Sequence, residues 1–124
     1  MMKSLNHNQR TYNWLREQGW VVAKSEYYNF YSRRRTDLFG LFDCVCLGEG
    51  SIIGVQSCGS SFAKHNKKII EDEEVAPIAY KWLKNGGRLI LIGWRKILKK
   101  RGGKLKIWAP RIKEYKIGDF GGSY

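Results

Sequence analysis

The feature that most constrains this chain is a carboxylate placed where a fold tolerates one least. Asp43 interrupts the apolar run Leu38-Phe39-Gly40-Leu41-Phe42-Asp43-Cys44-Val45-Cys46-Leu47. A second apolar run, Ile52-Ile53-Gly54-Val55, ends at Gln56. Between them lies Gly48-Glu49-Gly50-Ser51. Two apolar runs joined by a short Gly-rich turn read as a β-hairpin, with strands over 37–47 and 51–58. Successive side chains on a strand point to opposite faces. Gln56 and Cys58 therefore share one face, and Cys44 and Cys46 lie opposite Asp43. A carboxylate inside such a strand is costly unless something pairs with it or binds it. Asp37 precedes Asp43 by six residues. At ~3.3 Å per residue, roughly 20 Å separates them along a straight strand. They share one metal only if Gly40 bends or bulges the strand. Otherwise Asp37 pairs with an Arg or sits at the rim of the site.

Gly40-Leu41-Phe42-Asp43 followed by Gln56-Ser57-Cys58 resembles the PD-(D/E)XK nuclease superfamily, which includes restriction endonucleases and archaeal Holliday junction resolvases. In that superfamily an Asp on one strand and a Glu-x-Lys on the next converge on a metal. Here Gln56 stands at the Glu position and Cys58 at the Lys position. Asp37-Leu38-Phe39-Gly40, then Asp43 and later Val55-Gln56, is similar to phage and bacterial resolvase-like proteins with Gln in place of the Glu. The likeness runs from the first helix to the strand in Gly86-Gly87-Arg88-Leu89-Ile90-Leu91-Ile92-Gly93-Trp94-Arg95-Lys96. It implies an α/β fold with a restriction-endonuclease-like core, a mixed β-sheet flanked by helices in the order α-β-β-β-α-β-β.

The resemblance also implies a metal-dependent DNA endonuclease, structure-selective or resolvase-like. Phosphodiester hydrolysis needs a metal to polarise the phosphate and activate water. Mg²⁺, or Mn²⁺ in its place, takes oxygen ligands and keeps several waters, so one or two carboxylates suffice. Asp43 would anchor the ion, Gln56 would add a neutral oxygen, and the backbone carbonyl of Ser57 would complete the protein's share. Lys64, six residues past Cys58 and near a helix start, is the choice for a migrated lysine. The other reading leaves Lys64, Lys67 and Lys68 holding only DNA phosphates. Glu17, in the last turn of the first helix, either approaches the metal, as a first-helix Glu does in that superfamily, or is a solvated surface residue. The competing functional class is a nuclease fold kept as a DNA-binding module, with catalysis lost along with the lysine.

A formal net charge of +12 over 124 residues points to a polyanionic partner. The expected partner is branched or duplex DNA. Resolvases act on two symmetric strands, which makes a homodimer plausible. Residues 95–116 carry ten Lys or Arg against one Glu. The expected DNA-binding residues are Arg33, Arg34, Arg35, Lys64, Lys67, Lys68, Arg95, Lys96, Lys99, Lys100, Arg101 and Lys104. The alternative is a basic surface kept for solubility. The aromatic residues within 27–31 are expected to be mostly structural, with the arginines after them on the nucleic-acid surface.

Periodicity predicts a helix over 6–18, capped by Asn6 or Asn8 and ended by Gly19. A strand is expected over 20–23, before the hairpin. A helix over 62–72 breaks near 73–76, and a second begins at Pro77, which suits a first turn. Strands over 89–94 and 104–109 follow, paired across a Gly102-Gly103 turn. One domain is expected over 1–117, with a frayed tail over 118–124. No run approaches the ~18 apolar residues of a membrane helix. Three cysteines and no secretory leader predict a reducing, cytoplasmic setting, which for a viral chain is the host cytoplasm. Cys44, Cys46, Cys58 and His65 are zinc ligands by type, but the face argument separates Cys58 from the other two. Buried small hydrophobes are their default. A Cys58–His65 nucleophilic pair lacks a third, orienting residue.

Overall fold

The computed structural model describes residues 6–121. Asn6 caps the first helix by accepting the Gln9 amide at 2.8 Å, which satisfies one of the helix's unpaired donors. Helix α1 (His7–Glu17) stops at Gly19, whose φ of +85° suits glycine alone. Four strands follow: β1 (Val21–Lys24), β2 (Tyr27–Asn29), β3 (Arg34–Thr36) and β4 (Cys44–Gly48). Then come β5 (Ser51–Cys58), α2 (Phe62–Glu71), α3 (Val75–Lys84), β6 (Arg88–Leu98) and β7 (Lys106–Glu114).

The molecule is a mixed α/β fold built on a five-stranded sheet of order β1-β4-β5-β6-β7. Only β5 and β6 are parallel, because the α2–α3 crossover returns the chain to the same sheet. The other neighbours are antiparallel. Helix α1 covers one face, packing Tyr12 and Leu15 against Cys44, Cys46, Val55, Ile90 and Ile92. Helices α2 and α3 cover the other, packing Ile69, Ala76 and Ala79 against Leu89, Leu91, Phe42 and Cys58. Among the described residues no helix is long and apolar enough to cross a membrane.

Five expectations need correction. The strand read over 37–47 is a ladder only from Cys44, since residues 37–43 form a reversal described below. A two-stranded ribbon, β2–β3, stands outside the main sheet where no separate hairpin was expected. Asn29 makes its turn by accepting the Tyr31 and Ser32 amides at 2.9 and 3.2 Å. The helix break falls at Asp72, whose carboxylate accepts the Glu74 and Val75 amides, so α3 starts before Pro77 rather than at it. The expected tail also contributes to the core. Ile117–Asp119 makes a 3₁₀ turn, and Phe120 is buried beside Tyr115 and Tyr80. Residues 118–121 thus pack with the domain, while 122–124 lie outside the described residues.

The aromatics of the ribbon are not structural as expected. Tyr27 and Tyr28 are about half exposed, and Phe30 and Tyr31 are almost wholly so. A ribbon of this length has no second face against which to bury them.

Gly54 on β5 leaves room for Phe42. A Cβ there would fall 2.3 Å from the Phe42 ring, well inside van der Waals contact. Gly54→Ala should cost about 1–3 kcal/mol by overpacking, read as a lower denaturant midpoint at unchanged m-value.

Candidate metal centre

The centre begins with a reversal of the chain. Phe39 and Gly40 both take left-handed conformations, φ +57° and +69°. Two consecutive positive φ values make a type I′-like turn, the tight reversal that joins antiparallel segments. The Leu41 amide closes it on the Leu38 carbonyl at 3.0 Å, and Leu38 bridges Phe42. Leu41 and Phe42 are fully buried and hold the returning limb. Asp37 and Asp43, the residues flanking this loop, are thereby brought side by side. The bend at Gly40 that a shared site required is present, and the expectation that Asp37 pairs elsewhere is corrected.

Glu26 arrives from the opposite side. Ser25 donates its amide to the Asp43 carbonyl at 3.0 Å and its hydroxyl to the Phe42 carbonyl at 2.6 Å. These bonds fix the end of β1 against the start of β4 and place the next residue, Glu26, at the loop. Carboxylate oxygens of Glu26, Asp37 and Asp43 lie within 4.8 Å of one another. Glu26 borders an open cleft of about 340 Å³ that is also lined by Asn8, Tyr12, Lys24 and Arg35.

Like charges this close cannot all ionise. Asp43 is held up at about 7, first by burial and then by the Asp37 and Glu26 charges, against the pull of the Ser57 amide. That amide donates to Asp43 Oδ2 at 2.6 Å. Asp37 is also raised, mainly by burial and Glu26, while Lys68 pulls it down. The two aspartates act on each other, and the Asp37 charge is one of the causes that raise Asp43. Glu26 is bridged by Arg35 at 3.1 Å.

The surroundings supply oxygen acceptors in excess of donors. The β4–β5 register pairs Cys44 with Val55, and one step further sets Asp43 opposite Gln56. Gln56 is buried, and its Oε1 has no hydrogen-bond partner. Asn8 reaches Glu26 through its Nδ2 at 3.5 Å, and its own Oδ1 is buried without a partner. Three carboxylates, with the Asn8 amide beside Glu26, are the kind of oxygen donors that hard divalent cations take, so the residues present fit such an ion.

Of the residues singled out in the sequence, Asp43 contacts Ser57, and Gln56 lies opposite Asp43 in the β4–β5 register. Ser57 meets Asp43 through its amide, and its hydroxyl is engaged with Thr11 at 2.8 Å and the His7 carbonyl at 3.3 Å. Glu17 is exposed and is not part of the carboxylate group, because its helix turns that side to solvent. Lys64 is exposed, and its charge acts on His65, whereas Lys68, one helical turn on, is the lysine that acts on Asp37. Glu26 and Asn8 escaped the sequence reading. The one available signal for Glu26 was that it is the sole carboxylate between Glu17 and Asp37.

The cysteines do not form a metal site. Cys44 and Cys46 lie under α1, and Cys58 lies under α2 and α3. All three are buried and free. Burial pushes the Cys58 thiol up to about 11, which leaves it protonated and unreactive.

No family model, no curated protein and no solved structure matches this chain.

The raised aspartate pair sets a pH dependence. A carboxyl whose folded value lies above its ordinary 3.8 favours the fold while protonated. That contribution is complete below about pH 4 and is lost as pH rises through about 7. Asp43→Asn removes it, so the melting temperature of the variant should gain on wild type between pH 5 and 8, as thermal unfolding across that range would show. A parallel pH trend in both proteins would refute the assignment.

Proposed function

We propose that this protein is a divalent-metal-dependent nuclease acting on DNA, built on a restriction-endonuclease-like core. The observation that carries the reading is the convergence of the Glu26, Asp37 and Asp43 carboxylates, with Asn8, whose Oδ1 is buried without a partner, bonded to Glu26. The element order supports it. With the β2–β3 ribbon set aside as an insertion and α2–α3 counted as one crossover, the order is α-β-β-β-α-β-β. The basic surface supports it too, through exposed Arg33, Arg34, Lys64, Lys67 and the far end of the β6–β7 arm.

Asp43, Asp37 and Glu26 would hold Mg²⁺ or Mn²⁺, with the Gln56 side-chain oxygen and the Ser57 carbonyl as neutral ligands. Such an ion polarises the phosphate and lowers the pKa of its bound water. Holding a cation would require Asp43 to be ionised against the burial that raises it to about 7, so affinity would fall below about pH 7. Arg35 leaves Glu26 or stays as a bridge to a phosphate. Lys68, whose charge acts on Asp37, would take the role the motif lysine has elsewhere.

One observation favours the second reading, a DNA-binding module without catalysis. Cys58 occupies the motif lysine's strand position as a buried neutral thiol, so no cation stands there. A single experiment separates the two. Branched and linear DNA are incubated with Mg²⁺ or Mn²⁺, and again with EDTA. Cleavage that needs the metal, rises between pH 6 and 8, and falls below detection in Asp43→Ala and Asp37→Asn is expected. Tight DNA binding with no cleavage under any of these conditions would establish the module instead.

The arm makes its own prediction. Lys99, Lys100 and Arg101 are exposed in the β6–β7 turn. Each phosphate contact adds about −0.9 to the logarithmic salt slope on duplex DNA. The triple alanine variant should bind DNA more weakly at every sequence and with a slope shallower by up to about 2.7. An unchanged slope, beside a reduced one when Arg33, Arg34 and Arg35 are replaced, would move the contact surface to the ribbon.

A further inference from the structure

A second cleft lies on the other flank of α1, between its first turns and the base of the β6–β7 arm. It measures about 390 Å³ and is bordered by His7, Arg10, Ser60, Arg95, Lys96 and Trp108. No carboxylate borders it. Trp108 is about two-fifths exposed and belongs to neither core. The Arg10 guanidinium lies 4.0 Å from its ring centre, and the Lys96 ammonium 5.2 Å. Lys96 and Trp108 are cross-strand partners, so the arm itself holds them together.

The floor of this cleft is rigidly joined to the carboxylate centre. The buried Trp94 donates its Nε1–H to Thr11 Oγ1 at 2.8 Å. Thr11 donates its hydroxyl to Ser57 Oγ at 2.8 Å, and Ser57 donates its own to the His7 carbonyl. The direction follows because the indole only donates and the carbonyl only accepts. The amide of the same Ser57 donates to Asp43. Whatever occupies the Trp108 cleft is thus held at a fixed place relative to the carboxylates, across the width of one helix.

We propose that this cleft binds an unpaired nucleotide of a nucleic-acid strand. Its base stacks on the outer side of the Arg10 guanidinium, which itself lies over the Trp108 ring, and its phosphates meet Arg95 and Lys96. Aromatic rings and guanidinium planes both stack bases, and stacking tolerates any sequence because every base has a π-face. A paired base in a duplex hides that face, which is why the ligand is unpaired. The surplus of cations matches the phosphates. The inference rests on the nuclease reading only in taking nucleic acid as the ligand, and it adds the strand state of the substrate.

The test is carried out in EDTA, so that neither metal nor cleavage enters. Fluorescence anisotropy of a labelled oligothymidine and of a duplex of equal length is measured for wild type, Trp108→Ala, Trp108→Phe and Arg10→Ala. Trp108→Ala should weaken single-strand binding roughly 10-fold. It should leave duplex binding within about 2-fold. Trp108→Phe should retain most of the affinity, and Arg10→Ala should lose part of it for the single strand. A wild type that does not bind the single strand overturns the proposal. So does an equal loss on both ligands in Trp108→Ala, or in Arg10→Ala should the tryptophan variant melt early. Competition by polyglutamate as effective as that by unlabelled oligothymidine would assign the cleft to an acidic protein instead, and also overturns it. Absence of metal-dependent cleavage, with Trp108-dependent single-strand binding intact, counts against the nuclease reading alone.

Discussion

The candidate centre depends on one reversal of the backbone. Without the left-handed pair Phe39-Gly40, Asp37 and Asp43 would stand at opposite ends of a strand. A phenylalanine in that conformation carries a cost on the order of 1 kcal/mol. Its neighbours over-determine it, through the Leu38–Phe42 bridge and the burial of Leu41 and Phe42. Phe39 itself meets the edge of Trp82 on α3. Strain held in place by packing is common where a fold positions reactive groups. The same packing explains why β5 carries Gly54, since the Phe42 ring takes the space of a side chain there.

The centre is an acidic point inside a strongly basic protein, and the two properties reinforce each other. An anionic cluster alone would repel a polyanion. Here Arg35 is paired with Glu26, the Lys68 charge lowers Asp37, and burial favours the neutral form of Asp43. A divalent cation would complete the change of sign. Until then, the repulsion among the three carboxylates is offset mainly by the Ser57 amide, which ties Asp43 to the centre of the sheet. The wider charge draws polyanions from a distance, an effect that weakens as salt rises.

Helix α1 joins the two clefts. Asn8 faces the carboxylates, Arg10 faces Trp108, and Thr11 between them is buried in a hydrogen-bonded chain from Trp94 to Ser57. Buried polar chains of this kind are costly when broken and specify one arrangement when complete. Helix, sheet centre and arm base are therefore held as one unit, while the β2–β3 ribbon and the far end of the arm reach beyond both cores.

The alternation of apolar residues was enough to read the β4–β5 hairpin, because its strands bury a face and carry a glycine turn between them. It also marked Asp43 as a carboxylate in need of a partner and Gln56 as its neighbour. Charge alone showed that a polyanion is the expected ligand. The partners of Asp43 were not legible. Glu26 sits eleven residues before Asp37 with a ribbon between, and no local pattern tells that the ribbon's two feet meet. The Asp37–Asp43 pairing turned on whether Gly40 bends, and only the packing of Leu41, Phe42 and Trp82 decided that. Glu17 and Lys64 followed from their positions in sequence, but helix rotation turned one to solvent and set Lys68 nearer the centre than the other. Strand faces are local consequences of a two-residue period. A metal centre is a meeting of segments, and the meeting is fixed by what the core will bury.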